Sequence, residues 1–491
     1  MFCYIVIFLY LCIDFKRDKT MENFDTQTDN RPLIERQMEY YGKEIERLMS
    51  YYPCLREVCR GLHVAAYPAA LFSAASIMGT LMTRCSYRFY HRPEELRRLN
   101  YGIYIIGDPG SGKSFATRLY KLLAEPMNRV SKEGMNAMNR YKRKYSEWLN
   151  GPQKEEGPVK PKALIRTHPA RTSNKVFIED MNNAIDTVEG QEMHLHLFSF
   201  DTELDNMTRC TGEAWNNRLF MELKAFHNEE DGECYVSDNL YPAFNVFWNY
   251  IYTGTPMALE KKVNQENIGN GLSTRLAVIP MPSSHFKMIE YEAPGKVVQE
   301  PEDDRVLRMW AERLDKEYGE LPIHDLVEEC YGWTERRMAD AKDDNSKVDE
   351  LLCKRVAYYG INVSVPFIVM RHWDEWKQHR TLSIDDTDLH FCQLICNIQL
   401  TCQRHFFARY WETYFMTQEM ELTEAQIHKH YSRKMRLRYQ SLPDDFMTYD
   451  VEEICRVTKR NAEKMVERWK REGYIEMPEY GIYHKLLPTL L

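Results

Sequence analysis

The run YGIYIIGDPGSGKSFATRLYKLL, residues 101–123, constrains this chain more than any other stretch. Residues 102–106 are short, apolar and rich in isoleucine, which predicts a buried strand. Then come Gly107, Asp108, Pro109, Gly110, Ser111, Gly112, Lys113 and Ser114, in the order G-x-x-x-x-G-K-S. From Lys113 to about Leu123 the apolar spacing becomes helical, and the helix is expected to stop or kink near Pro126. Strand, glycine-rich loop and helix together form a phosphate cradle. The glycines let successive backbone N–H groups turn toward one centre, and the helix start adds the positive end of its dipole. Lys113 is suited to reach the β- and γ-phosphates, and the Ser114 hydroxyl to bind magnesium. ATP and Mg²⁺ are therefore the expected cofactors, in an α/β fold with a parallel sheet.

Hydrolysis needs acids at the end of a neighbouring strand. Residues 195–203 read LHLFSFDTE. Asp201 would hold magnesium through water, and Glu203 would orient or deprotonate the attacking water. In an extended strand, residues i and i+2 share a face, so both carboxylates are expected in the site. Which acid does which job stays open, and an acidic turn is the plainer reading. A further strand, FNVFWNYIYTGTP, ends in Thr253 and Thr255. A polar group there suits contact with the γ-phosphate or the water, although Thr-Gly-Thr-Pro is also a good turn. In NGLSTRLAVIPMP, Arg275 opens an apolar strand. It would serve as a finger on a neighbouring subunit's nucleotide, raising turnover by roughly 10³–10⁵; by its residues alone it reads as a surface or salt-bridged arginine.

At 491 residues the chain has room for two to three domains. The net charge of −8 means any nucleic-acid surface is a local basic patch. The 13 cysteines show no zinc-ribbon spacing and read as reduced, buried thiols. His194, His196, His428 and His430 read as face histidines rather than metal ligands. Residues 64–84 predict a buried helix starting near Pro68, rich in Ala and Ser, with a membrane span as a weaker reading. Met1–Phe15 is almost wholly apolar but short for a span, and Met21 is the expected initiator. Stable membrane association is not expected, and the expected location is the cytoplasm.

The helix with Pro68, GDPGSGKS, the strand with Asp201 and Glu203, YIYTGTPMAL and GNGLSTRLA together resemble domain-of-unknown-function family 3987. The resemblance runs from about residue 50 to residue 415, and G-L-S-T-R after T-G-T-P is its more specific part. It implies a P-loop ATPase of prophages and other mobile DNA, found beside primase or helicase proteins, and strengthens Arg275 as a finger. The spaced D-T-E departs from the usual adjacent acids. Lys354 and Arg355 before VAYYGINVSVPFIVM are similar to the lid of hexameric replicative helicases, which makes Arg355 a candidate second sensor; a helix-face arginine paired with Asp349 or Glu350 is the alternative.

Residues 421–487 predict a winged helix: helices at 423–439, from 448 and at 458–472, then a two-stranded wing turning near Pro478 and Gly481. Lys459, Arg460, Lys464 and Arg468 on the third helix are candidate DNA contacts, diluted by Glu463 and Glu467. The expected plan is a loose N-terminus at 1–33, a helical part at 34–100, an ASCE-type, helicase-like P-loop core at 101–300, a helical lid at 301–420 and the winged helix at 421–491. The expected function is an ATP-dependent DNA helicase or remodelling motor for a mobile element. It would act as a homo-oligomer, such as a ring, on single-stranded or forked DNA. No primase site is evident, so priming would need a separate protein. A nucleotide-switched DNA-binding regulator or loader is the alternative.

Overall fold

The computed structural model describes residues 31–151, 156–204, 218–234, 240–283, 302–428, 433–471 and 473–490. Met1–Phe15, Met21 and His430 lie outside them. The chain forms two compact units, Met1–Arg409 and Tyr410–Leu491. The expected divisions near residues 100 and 300 are thus internal to one unit, and the boundary falls inside a 43-residue helix.

The first unit is α/β. Its strands are β1 (Arg84–Arg88), β2 (Leu96–Arg97), β3 (Gly102–Ile106), β4 (Thr167–His168), β5 (Ile185–Val188), β6 (Gln191–His194), β7 (Leu197–Asp201), β8 (Glu230–Cys234), β9 (Leu240–Asn245), β10 (Trp248–Gly254), β11 (Ala277–Pro280) and β12 (Tyr318–Glu320). Five form one all-parallel sheet in the order β11-β3-β10-β7-β4. β3 and β10 are buried at every residue, as parallel strands covered on both faces must be. Ile106 pairs with Gly254 and Pro280, and Tyr252 with Asp201, so the carboxyl ends of β3, β7, β10 and β11 lie together. From β3 the chain crosses to the far edge at β4, then returns through β7 and β10 to β11 on the other side. The connections leaving neighbouring β3 and β10 thus run in opposite directions, and open parallel sheets place ligands where the chain reverses in this way.

The helices around the sheet follow their composition. Helix α1 (Leu33–Leu48) is amphipathic and buries Met38, Tyr41, Ile45 and Leu48. Helix α2 (Tyr67–Leu81), with proline in its first turn, is apolar on all sides and buried on all sides. Its Ser73 and Thr80 hydroxyls donate to the carbonyls of Ala69 and Ser76, so neither hydroxyl is stranded. Residues Val64–Leu81 are apolar and long enough to cross a membrane, yet 89% of them are buried inside the protein, which marks a core helix. Helix α3 (Phe115–Leu123) leaves the glycine-rich loop. Pro126 does not end the next helix but sits in its first turn, so that helix spans Glu125–Asn150 and starts earlier than the expected 131. The helix at Asn174–Asn183 forms as expected, although the Ser173 side chain makes no cap bond.

The expected lid is part of the same packed body. Helix α4 (Pro256–Lys262) comes after β10. Helix α5 (Val356–Arg371) is buried from Val356 to Met370, because its apolar residues surround it. Helix α6 (Asp386–His428) sends Gln399 and Gln403 into the core. β12 adds in parallel to β1, joining this region to the N-terminal part.

In the second unit, β13 (Asp445–Met447), β14 (Ile475–Glu479) and β15 (Ile482–Lys485) form an antiparallel sheet in the order β13-β15-β14. Helices α7 (Arg433–Gln440), α8 (Thr448–Cys455) and α9 (Lys459–Arg471) pack with it. Tyr439, Phe446, Val451, Ala462, Val466 and Trp469 form the core. The Tyr439 hydroxyl reaches the Tyr474 and Leu487 carbonyls. Gly473 and Gly481 have φ of 78° and 87°, left-handed values that end α9 and turn β14 into β15.

Candidate functional site

The loop Gly107–Ser114 leaves the carboxyl end of β3 and runs directly into α3. Gly110 and Gly112 both have φ of 81°, which side chains with a Cβ rarely adopt, and this folds the loop on itself. At Gly107 the need is space: a Cβ would lie 2.7 Å from Met281 Cβ. The Gly107 N–H donates to the Gly254 carbonyl at 3.1 Å, tying the loop to β10. Lys113 Nζ donates to the carbonyls of Gly107 at 2.6 Å and Asp108 at 2.7 Å. Its cation is thus held over the loop's mouth, and burial lowers its pKa from the usual lysine range. Asp108, Pro109, Gly110, Gly112 and Ser114 are exposed there, and the Ser114 hydroxyl makes no cap bond.

The two acids do not share a strand face. β7 ends at Asp201, and Glu203 lies beyond it in a turn, exposed on the surface. The Glu203 N–H donates to Asp201 Oδ1 at 3.0 Å, so Asp201 itself bends the chain out of strand geometry. The i, i+2 expectation fails for that reason. Thr253 is buried and its Oγ1 donates to the Thr202 carbonyl at 2.6 Å. It therefore grips the acid-bearing turn from β10 rather than pointing outward. Thr255 caps α4, accepting from the Ala258 N–H. At the end of α4, Lys262 Nζ lies 2.6 Å from Glu222 Oε2 with both side chains buried. Among the described residues neither Glu222 oxygen has a hydrogen-bond partner, so charge attraction holds this pair.

Arg275 and Arg355 are brought together, but at the other end of the sheet. Arg275 precedes β11, whose Ala277 pairs with Ile103 near the start of β3. Strand rise puts the loop about 15 Å away along β3. Arg355 donates to Thr274 Oγ1 at 2.5 Å. Four residues on, Tyr359 Oη contacts the Gly102 carbonyl at 3.0 Å and the Arg275 carbonyl at 2.9 Å. Gln399 and Gln403 donate to the carbonyls of Leu276 and Ser273. Arg355, the candidate second sensor, thus lies with its helix against the amino end of the sheet, away from its own chain's Lys113. It does not pair with Asp349 or Glu350 either; those carboxylates hold Arg404 and Lys354.

Sequence reading missed the rest of this cationic cluster. Arg97 NH1 donates to His227 Nδ1 at 2.9 Å. Burial, then Arg97, Arg355 and Arg275, push the His227 pKa down to about 3. Burial also lowers Arg275 and Arg355, the latter further through Arg275 itself. The buried Arg275 Nε has no hydrogen-bond partner among the described residues. Converging arginines of this kind suit an anion. No local motif announces the cluster, because its members come from four distant segments.

In the second unit Lys459, Arg460, Lys464 and Arg468 are all exposed on α9, whose opposite face buries Ala462, Val466 and Trp469. Glu463 and Glu467 lie among them, also exposed. Of the histidines, His196 is buried between Thr83 and Asn100 and is structural. Among the described residues nine cysteines are buried and unbridged. Cys392 and Cys396, one helical turn apart, meet Cys330 with all three sulfurs within 4.8 Å. Comparison with protein-family models and with curated proteins finds no match, so the resemblance rests on the motif residues alone.

Proposed function

We propose that this protein is an ATP-dependent DNA motor, a helicase or DNA-remodelling enzyme serving the replication or mobilisation of a mobile element. The observation that carries the reading is the curled Gly107–Ser114 loop at the carboxyl end of β3, with Lys113 over its mouth and a carboxylate-bearing turn on the same edge of the sheet. β10 lies between the loop strand and the acid strand, which supports an ASCE-type core. Backbone N–H groups and Lys113 bind the phosphates. Ser114 and Asp201 fit a magnesium ion, since the hydroxyl is exposed and Asp201 spends one oxygen on its turn; the ion supplies charge neutralisation on the phosphate oxygens. Glu203 or Asp201 orients the attacking water. Arg275 and Arg355, far from their own loop, are available to a neighbouring subunit's nucleotide, which implies a homo-oligomer, a ring in the simplest closed form.

The helix–strand order of the second unit and the exposed lysines and arginines of α9 support a winged helix contacting DNA phosphates. Priming would come from a separate primase. One observation favours a second reading, a nucleotide-switched DNA-binding regulator or loader: Glu203 is exposed beyond its strand, which suits slow hydrolysis. ATP turnover with and without single-stranded and forked DNA separates them, with Lys113→Ala and Glu203→Gln as controls. DNA-stimulated turnover and unwinding, lost in both variants, support the motor. Tight ATP binding with negligible turnover, indifferent to DNA, removes it and leaves the regulator.

A further inference from the structure

Cys392 and Cys396 lie one turn apart on α6, and Cys330 reaches them from the helix His324–Asp343. All three are buried. The Cys330 and Cys392 sulfurs are 3.5 Å apart, and all three sulfurs lie within 4.8 Å of one another. Opposite them α5 presents bare backbone. A Cβ on Gly360 would collide with Cys396 Sγ and would sit 3.3 Å from Cys392 Sγ and 3.4 Å from Cys330 Sγ. The three atoms nearest to that position are thus the three sulfurs. Glycine is a poor residue for a helix interior, and here the sulfurs themselves exclude a side chain. Ser364 follows one turn later on the same face of α5, buried and close enough to Cys392 for its hydroxyl to interact with the sulfur.

We propose that Cys330, Cys392 and Cys396 form a structural zinc site, with Ser364 in the fourth position, that staples three helices of the first unit. Thiolates are the ligands that select soft and borderline ions of this class. Zinc–sulfur bonds of about 2.3 Å at tetrahedral angles place thiolates about 3.8 Å apart, within the spread these sulfurs already show. Each thiol gives up its proton as the ion binds, whereas the Ser364 hydroxyl keeps its own. Three thiolates around Zn²⁺ leave a single negative charge to bury, and around Cu⁺ twice that, so burial favours the divalent ion. The buried ligands leave no position open to solvent, which suits a structural ion and not a catalytic one. The same helices carry Tyr359, Gln399 and Gln403, so the ion would fix the elements that hold the start of β11. The site shares no residue with the phosphate loop and stands whether or not ATP binds there.

A closed site loads as its helices assemble, so the metal is supplied during expression. The full chain is expressed with zinc and copper salts both present, washed with EDTA to strip surface ions, and analysed for metal by mass spectrometry. Wild-type protein is expected to keep about one Zn²⁺ per chain. So is Cys402→Ala, which removes a buried cysteine outside the cluster. Cys392→Ala and Cys396→Ala should each keep at least about tenfold less, since even the loss of an outer-shell partner costs roughly 10–100-fold in affinity. X-ray absorption on the wild type reads the site without any variant, should an alanine chain fail to fold. It should show a sulfur-rich zinc shell, three sulfurs and one oxygen, with bonds of about 2.3 Å to sulfur. A wild-type chain that emerges metal-free would overturn the site, as would equal zinc in the two alanine variants or a shell of nitrogen and oxygen. The cluster would then be three neutral thiols packed around Gly360. Copper retained in place of zinc would overturn the choice of ion.

Discussion

Thr253→Val isolates one hydrogen bond with little change of shape. The hydroxyl is buried and donates to the Thr202 carbonyl at 2.6 Å, clamping the turn that carries Asp201 and Glu203. A net buried hydrogen bond contributes about 0.5–1.5 kcal/mol, and an acceptor left unsatisfied costs about 1–3 kcal/mol. Because Thr202 is exposed, water compensates its carbonyl in part, so about 1–2 kcal/mol is the expected loss. That loss is local. Hydrogen-exchange mass spectrometry on residues 197–204 should show protection reduced about 5- to 30-fold, since about 1.4 kcal/mol is a factor of ten. If the turn positions the water-orienting acid, kcat falls by a similar factor. KM for ATP should hold, because Lys113 and Gly107 keep their own bonds. Thr253→Ser should restore both. Wild-type turnover in the valine variant despite a loosened turn would refute the link between clamp and catalysis. A weakened ATP affinity instead would mean that Thr253 touches the nucleotide directly.

Glu222→Leu strands the buried Lys262 ammonium and is expected to destabilise the first unit by about 3–5 kcal/mol, read as a lowered Tm. Glu222→Leu combined with Lys262→Met should recover most of that loss. Gly42→Ala drives a Cβ into the Val64 carbonyl, which cannot swing away as a side chain would, so about 1–3 kcal/mol of destabilisation should appear in urea midpoints. His227 has a folded-state pKa of about 3, below its ordinary 6.5, so between those values the unfolded chain binds a proton that the folded chain refuses. Stability should therefore fall as pH drops through that window, by up to about 1.4 kcal/mol per unit, and His227→Asn should flatten the slope measured by denaturation at pH 4–7.

Much of the first unit could be read from local pattern. The isoleucine-rich run at 102–106 became β3 residue for residue, and the apolar stretch around Pro68 became a core helix, because each is apolar throughout and has few alternatives. The second unit was legible for another reason: its helix stops and turn glycines agree with one another, and Gly473 and Gly481 take the left-handed values their positions imply. One boundary moved where a proline had two roles: α3 ends at Leu123, before Pro126, as expected, and the same proline opens the next helix earlier than its composition implies.

The site was legible only where its residues are contiguous. Gly107–Ser114 stands out, whereas Thr253 gave no sign that it faces back toward Thr202. The position of Arg355 was not legible, because a lid seen in sequence carries no information about which end of the sheet it covers. Its helix is apolar all round, so it packed inside, against Gly102 and Thr274, instead of over the loop.

The bonds from Tyr359, Gln399 and Gln403 to the start of β11 also make that strand a mechanical element. Its amino end is clamped by two long helices, and its carboxyl end presses Met281 against Gly107. A strand of four buried residues hardly bends or stretches, so displacement at one end arrives at the other almost undiminished. β11 thus joins the arginine cluster to the Gly107–Ser114 loop through one short, buried element. A substitution at Gln403 should therefore change amide hydrogen exchange at Gly107.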